Sequence, residues 1–147
     1  MQQVVRPMVL DDAADIALLE QLARELLVEQ RGGPAHMAER PAVGEWAALV
    51  EHPEASVWLA LIDDVPVGYL QLSVVTRGAA EVLQVFVHPD AREVGFGDWL
   101  LEAAIATARV RRCTVIEGTA LPGDRETKNL YERAGIKARK ITVSLPL

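Results

Sequence analysis

A loop with one arginine and two glycines joins a β-rich run to an amphipathic helix in the segment VFVHPDAREVGFGDWLLEAA, Val85 to Ala104. The free backbone amides at a helix N-terminus and the positive end of the helix dipole together favour an anion. Gly95 and Gly97 allow the backbone to approach a phosphate closely, and Arg92 adds a charge that can donate paired hydrogen bonds. The loop therefore predicts a ligand that carries phosphate.

Two common nucleotide loops do not match this segment. The dinucleotide fingerprint G-x-G-x-x-G requires a third glycine where Leu100 stands, and the lysine loop G-x-x-x-x-G-K-S/T is absent from the chain. For the two glycines alone, a strand-to-helix turn with unusual dihedral angles is the alternative explanation.

The composition describes one globular domain over residues 1–147, with 50% hydrophobic and 24% charged residues. The single Cys113 cannot form an internal disulfide, the N-terminus lacks the pattern of a signal peptide, and no uncharged stretch suggests a transmembrane helix. We therefore expect a cytoplasmic protein with no membrane partner. The net charge of −6 and the pI of about 5.1 argue against a nucleic-acid partner and favour a cationic one, such as an amine.

The spacing of apolar residues predicts the order of elements in the first half of the chain. The opening strand VVRPMV precedes a helix capped by Asp11 or Asp12, and a second, shorter helix is predicted over Pro41 to Glu51. The β-rich runs 56–62, 67–75 and 80–87 are separated by short turns, and such short connections favour an antiparallel meander.

The second half of the chain alternates helices with strands. It is predicted to contain a helix from about Gly95 to Val110, the strand CTVIEGT, a helix from Asp124 to Ala134 and the strand ITVSLPL. The last strand could edge the sheet or pair across a homodimer. The whole order is β-α-α-β-β-β-α-β-α-β, which indicates an α/β (α+β) fold with a mixed, mostly antiparallel twisted sheet flanked by helices.

Two motifs resemble signatures of the GNAT superfamily of N-acyltransferases. The segment VFVHPDAREVGFGDWLL is similar to its acyl-CoA loop, in which an apolar strand and a proline precede Q/R-x-x-G-x-G/A at a helix start. KNLYERAGI is similar to its second signature, and VVRPMVLDDAADIALL resembles its first strand and helix. The resemblance covers nearly the whole chain and implies acetyl-CoA as the co-substrate. The three histidines show no metal-ligand spacing, so no metal is expected.

The resemblance also implies how acetyl-CoA is held. The loop amides would bind its pyrophosphate, which makes the binding residues Arg92, Glu93, Val94, Gly95, Phe96 and Gly97. A bulge would part the preceding strand from its neighbour, so that main-chain groups of Val85, Phe86 and Val87 pair with the pantetheine arm and the thioester carbonyl. Glu93 and Asp98 depart from the family pattern, and their charges oppose a pyrophosphate unless they point to water.

Direct attack of an amine on a thioester requires a polarised carbonyl, a deprotonated amine and a proton for the leaving thiolate. Tyr131 matches the family tyrosine near the cofactor sulfur, which implies a general acid; a buried aromatic of the helix is the alternative. Glu81 is the candidate base, and an exposed charge opposite Arg77 is its alternative. Trp46 could line the acceptor pocket.

These residues and motifs together predict an N-acetyltransferase that acts on the primary amine of a small molecule. A protein or peptide N-acetyltransferase and a non-catalytic acyl-CoA-binding regulatory module are the two alternatives. The acceptor cannot be read from the sequence, because RGGPAHMAERPAVGEW, where acceptor contacts are expected, carries no recognisable motif.

Overall fold

A five-stranded sheet and four α-helices make up the structure, a computed structural model that describes residues 1–147. The strands are β1 (Gln3–Pro7), β2 (Ala55–Ile62), β3 (Val65–Val74), β4 (Ala79–Val87) and β5 (Val115–Gly118). The α-helices are α1 (Ala13–Leu27), α2 (Gly33–Glu39), α3 (Phe96–Val110) and α4 (Arg125–Arg133). None of the helices is both long and apolar enough to cross a membrane.

The strands lie side by side in chain order. β2, β3 and β4 form the predicted antiparallel meander, and β1 pairs antiparallel with β2 at its edge. Asp63 and Asp64 both have positive φ, 48° and 67°, which is the twist a two-residue hairpin needs between β2 and β3. β5 runs parallel to β4 because α3 returns the chain across the sheet. The predicted α/β (α+β) fold class is confirmed.

Side chains alternate along β2 and β3 between two cores, one on each face of the sheet. The core on the α1 face includes Ile16, Leu19, Val57, Leu59, Leu61 and Tyr69. The core on the α3 face includes Leu70, Leu72, Val74, Leu100, Leu101 and Tyr131. Each helix therefore covers one face, and β4 is enclosed between them.

A β-bulge in β4 reverses which face its side chains meet. Gln71 pairs with Gln84 and Leu72 with Val82, so Leu83 has no partner on β3. Before the bulge the even-numbered side chains enter the α3 core; after it the odd-numbered ones do. The even-numbered residues past the bulge turn instead towards α1. One extra residue thus decides which side chains reach each side of the sheet.

The second helix lies earlier in the chain than predicted. Pro41 to Glu51 contains only a 3₁₀ turn, Trp46–Leu49, whereas α2 begins at Gly33. Gly32, with a φ of 79°, turns the chain into α2, and Pro34 stands in its first turn, where no amide proton is needed. The prediction was wrong because Gly33 and Pro34 of the sequence RGGP begin the helix, and not Pro41.

The last predicted strand is not formed. Residues 141–147, ITVSLPL, have no regular secondary structure, and Ile141, Val143 and Leu145 are exposed. Alternating apolar residues are typical of a strand, but a strand also needs a neighbour for its hydrogen bonds, and Pro146 has no amide proton. This element was therefore wrongly predicted, since no strand of the sheet pairs with it.

An ion pair fastens the start of α1 to β1. Two guanidinium nitrogens of Arg6 donate to the carboxylate of Asp12, at 2.7 and 3.0 Å, and the amide of Val9 donates to it at 2.8 Å. The hydrogen bond from Arg6 is the main reason why the pKa of Asp12 lies below its ordinary value. Asp12 occupies the predicted N-cap position, but its carboxylate turns back to the strand and makes no capping hydrogen bond.

Candidate active site

β4 and β5 separate in the interior of the sheet. β5 pairs with β4 only over Ala79–Val82, so the rest of β4 has β3 on one side and no strand on the other. The separation begins at the bulged Leu83, where the strand bends. Main-chain groups of residues 85–87 that face the gap have no strand partner there, and they can pair with an extended ligand.

Tyr131 lies where the two strands separate. α4 carries it into the α3 core, where the residue is only 7% exposed. Gly118, the last residue of β5, lets the ring approach: a β-carbon there would stand 2.5 Å from the ring carbon that bears the hydroxyl. Burial raises the pKa of Tyr131 to about 12. The hydroxyl therefore keeps its proton at neutral pH and is able to donate it.

The loop before α3 presents a run of free amides. None of the backbone amides of residues 92–98 donates to another backbone carbonyl. Gly95 has a φ of 84° and Glu93 a φ of 71°, a left-handed conformation that suits glycine and strains glutamate. Successive free amides at a helix start form a concave anion site.

Ion pairs engage two of the acids around this loop. Asp98 accepts a hydrogen bond from Arg133 at 2.9 Å, and Glu126 pairs with Arg92 at 2.9 Å. Arg92 also donates to the carbonyl of Val87 at 3.1 Å, which holds its guanidinium at the end of β4. Glu93 and Asp98 are the two loop carboxylates that would repel a phosphate. The ion pair with Arg133 reduces this repulsion at Asp98.

A cleft of about 1080 Å³ extends from this loop to α1 and α2. The predicted site residues that line it are Val85, Phe86, Val87, Arg92, Glu93, Gly95, Phe96, Gly97 and Tyr131. Val94 is not among the lining residues and is 45% exposed. Glu81 is not among them either, and it meets the cleft through Arg40, which does line it.

The sequence model of the Acetyltransferase (GNAT) family matches residues 19–136, well over half of the chain. The chain belongs to the GNAT family. It is therefore an acetyltransferase, and the resemblance of its two motifs to this family is confirmed. No curated protein sequence matches the chain.

Solved structures share the fold of this acetyltransferase. A tetramutant of the BH1408 protein from Bacillus halodurans matches with a TM-score of 0.77 at 20% identity, over 98% of this chain and 99% of that one. AAC(6')-Iy in complex with the bisubstrate analogue CoA-S-monomethyl-acetylneamine gives 0.73 at 15% identity, over 100% and 99% of the two chains. A ribosomal-protein-alanine N-acetyltransferase from Brucella melitensis biovar Abortus 2308 gives 0.71 at 17% identity, over 99% of each.

Arg40 holds Glu81 of the acetyltransferase in an ion pair. Nη2 of Arg40 donates to the carboxylate of Glu81, whose side chain is 43% exposed. Arg77, the alternative neighbour, forms no ion pair with it. Arg40 follows α2, so Glu81 faces α2 while Tyr131 belongs to the α3 core. The two predicted catalytic side chains thus lie on opposite faces of the sheet.

A buried polar network supports the cleft wall on the α1 face. The carboxylate of Glu20, which is 3% exposed, accepts hydrogen bonds from the amide of Val43, Nε1 of Trp46 and Nε2 of Gln84. The hydroxyl of Tyr69 donates to Gln84 at 2.7 Å. These bonds fix the orientation of Gln84 and Tyr69, which line the cleft. Trp46 itself is buried and does not line it, so its predicted place in the acceptor pocket was wrong.

The residues at the α1 and α2 end of the cleft were not predicted from the sequence. Arg24, His36 and Arg40 line this end. Burial, followed by the charge of Arg40, lowers the pKa of His36, which leaves its imidazole neutral at pH 7. No motif marks His36 or Arg40, and the predicted second helix, Pro41 to Glu51, begins after both of them. At the other end of the cleft, Arg125 was also missed.

Proposed function

We propose that this acetyltransferase transfers the acetyl group of acetyl-CoA to the primary amine of a small molecule by direct attack. The observation that carries the proposal is the separation of β4 from β5 beside Tyr131. An extended thioester arm fits such a gap because the main-chain groups that face it lack partners. The cleft, at about 1080 Å³, also reaches both faces of the sheet, which leaves room for a second substrate.

The chain would hold the two ends of acetyl-CoA with different elements. The free amides of residues 92–97, together with Arg92, would bind the pyrophosphate. Main-chain groups of residues 85–87 would pair with the pantetheine arm. An amide of this strand would also donate to the thioester oxygen, where negative charge develops in the transition state. Bound acetyl-CoA supplies the activated acetyl group.

Tyr131 is the proposed general acid. As the C–S bond breaks, the leaving sulfur takes the phenolic proton, and the tyrosinate recovers a proton from water. A pKa of about 12 keeps Tyr131 protonated throughout the neutral range, so the acid is present in its active form.

Glu81 is the proposed base. It would accept the proton that the amine loses as the C–N bond forms, directly or through a water molecule, and Arg40 fixes its position. His36 is a second candidate, because it is neutral and lines the same end of the cleft. Glu81→Gln and His36→Gln separate the two: loss of the true base lowers kcat and abolishes the acidic limb of the pH profile of kcat/KM.

Calorimetric titration with acetyl-CoA, desulfo-CoA and ATP is the first test of the proposal. We expect acetyl-CoA to bind in the micromolar range. ATP should give no signal, because it lacks the pantetheine arm that would pair with β4 beside the gap. A screen of small amines and peptides with detection of the released thiol then reports turnover.

The titration and the screen test different parts of the proposal. Absence of acetyl-CoA binding at millimolar ligand would contradict the cofactor site. Thiol release with peptides but with no small amine would replace the proposed acceptor by a protein or peptide. Binding without thiol release from any amine would contradict the proposed reaction.

A further inference from the structure

The charged residues of the cleft are divided between its two ends. The carboxylates that line it are Glu93, Asp98, Asp124 and Glu126, and all of them belong to the end formed by α3, α4 and the loops before them. The α1 and α2 end is lined by Arg24, His36 and Arg40 and by no carboxylate. The acceptor amine would bind at this α1 and α2 end, which is called the acceptor end below. Its lining is basic, whereas the chain as a whole has a net charge of −6.

Two acids beside this end of the cleft, Glu81 and Glu20, are already engaged. Glu81 is bound by Arg40, and Glu20 is buried and accepts hydrogen bonds from three donors. No carboxylate lines this end of the cleft, so a second ammonium group on the substrate would find no partner within it. A polycationic acceptor is thus poorly matched to this end of the cleft, because a desolvated charge needs a partner.

Arg40 retains an unused donor. Its Nη2 is bound to Glu81, but Nη1 is buried and has no hydrogen-bond partner in the protein. Arg24 donates to the carbonyl of Arg40 at 2.9 Å and so holds this backbone in place. Nearly all buried polar groups in proteins are paired, so Nη1 of Arg40 is a donor that a ligand in the cleft could satisfy.

An unpaired acceptor lines the same cleft. Oε1 of Gln30 is buried and has no hydrogen-bond donor. The two buried side-chain polar atoms without partners are therefore one donor and one acceptor, on residues that both line the cleft. A ligand that offers a carboxylate and an N–H group would satisfy both.

We propose that the acceptor amine carries a carboxylate, as in a free amino acid, and that Arg40 binds this carboxylate with the support of Arg24. The inference rests on the proposed function and specifies its substrate class. Arginine is suited to this role because its planar fork can bind a carboxylate while it remains paired with Glu81. Gln30 would accept an N–H of the amine and orient the nitrogen.

Matched pairs of acceptors test this proposal. Initial rates of thiol release are measured with free L-amino acids, with the carboxamides of the same amino acids and with an aminoglycoside, at saturating acetyl-CoA. We expect kcat/KM for the acids to exceed that for their carboxamides by about 10- to 100-fold, as for one charge-assisted hydrogen-bonded pair. Arg40→Gln should reduce this ratio to nearly one, and Arg40→Lys should restore part of it.

The ratio separates recognition from chemistry. Arg40→Gln also releases Glu81, whose free charge would repel the acid but not the carboxamide, so the ratio is also measured in Glu81→Gln and in the double variant Arg40→Gln/Glu81→Gln. Arg109→Gln is the matched control, because Arg109 is exposed and does not line the cleft. We expect it to leave the ratio and the acetyl-CoA affinity unchanged.

Failure of this inference can be distinguished from failure of the proposed function. Carboxamides or the aminoglycoside used as well as the amino acids would overturn the inference and leave the N-acetyltransferase assignment intact. If no amine releases thiol, the proposed function falls, and calorimetry with desulfo-CoA present then decides the inference. Amino-acid binding that Arg40→Gln abolishes would keep the carboxylate site, whereas absence of binding would overturn it as well.

Discussion

The hydroxyl end of Tyr131 lies against the α-carbon of Gly118, at the point where β5 ends and β4 bends away. A β-carbon on Gly118 would stand 2.5 Å from the ring carbon that bears the hydroxyl, so this ring position requires a residue without a side chain. The place of the proposed acid is thus set by a glycine in a different element. The constraint is on space, since Gly118 does not have a positive φ.

Gly118→Ala should displace Tyr131 and lower kcat by an amount similar to loss of the hydroxyl. Overpacking against the buried ring of Tyr131 should also reduce the free energy of unfolding by about 1–3 kcal/mol. Gly44→Ala is the control, because no atom lies within 4 Å of a β-carbon built there and Gly44 does not line the cleft. Steady-state kinetics and urea unfolding measure the two effects. Unchanged kcat and stability in Gly118→Ala would show that the ring has freedom to move.

Tyr131→Phe should lower kcat by about 100-fold, as expected for loss of a general acid. Acetyl-CoA affinity should stay the same, since no contact of the loop before α3 is changed. Stability should also respond to pH: the folded pKa of about 12 exceeds the ordinary value of 10.0, so the wild type loses stability as the pH rises from about 10 to about 12. The variant should lack this contribution. A wild-type kcat in Tyr131→Phe would exclude the acid role.

Arg92→Glu should weaken acetyl-CoA binding by about 10- to 100-fold, because a charge-assisted hydrogen bond to phosphate is replaced by repulsion. Glu126, the ion-pair partner of Arg92, would also be left unpaired near the ligand. Arg109→Glu is the charge-matched control outside the cleft. Isothermal calorimetry reports both affinities. Equal affinities in the two variants would remove the pyrophosphate site from this loop.

Glu93→Gln should tighten acetyl-CoA binding by about 2- to 5-fold, since it removes a negative charge from the cleft and leaves the backbone as it is. Glu93→Gly removes the charge and also relieves the strain of a φ of 71°. Glycine loses more backbone entropy on folding, so we expect the two effects on stability to offset each other. If neither variant binds acetyl-CoA more tightly in low salt, the side chain points away from the phosphates.

Asp12→Asn should reduce the free energy of unfolding by about 1–3 kcal/mol, because Arg6 and Val9 both donate to this carboxylate. The pKa of Asp12 is lowered in the folded state, so its stabilising effect is complete above the ordinary value of 3.8 and is lost as the pH falls through the lower folded value. Denaturation is measured between pH 2 and pH 7. The free energies of unfolding of the wild type and the variant should converge at the acid end of this range. If the difference in the free energy of unfolding between the two proteins does not change with pH, other titratable groups cause the pH dependence.

Local sequence predicted the parts of the site that a single segment builds. Gly95, Gly97 and Arg92 lie within one short loop before a helix with a clear apolar period, so both the loop and α3 could be identified. The start of α4 was equally readable: the helix was predicted from Asp124, whose carboxylate accepts a hydrogen bond from the amide of Thr127 at 3.1 Å and caps the helix.

The parts that depend on tertiary contacts could not be read in this way. Arg40 and Glu81 are 41 residues apart, and nothing in either segment indicates that they meet. The bulge at Leu83 depends on the register with β3, which no pattern within β4 specifies. The strand predicted over residues 141–147 shows the converse: its alternating pattern is local, but a strand is completed only by a neighbour.

The gap between β4 and β5 also links the lifetime of the protein to its ligand. Without a ligand, the sheet contains an interior edge with unpaired main-chain groups. After small local openings, the amides at this edge can exchange hydrogen and proteases can reach the backbone. With acetyl-CoA bound as proposed, the pantetheine arm takes the place of a missing strand, and each tenfold increase of ligand above its Kd adds about 1.4 kcal/mol to the folded state. The half-life of this acetyltransferase in a cell should therefore lengthen when acyl-CoA is abundant and shorten when it is scarce.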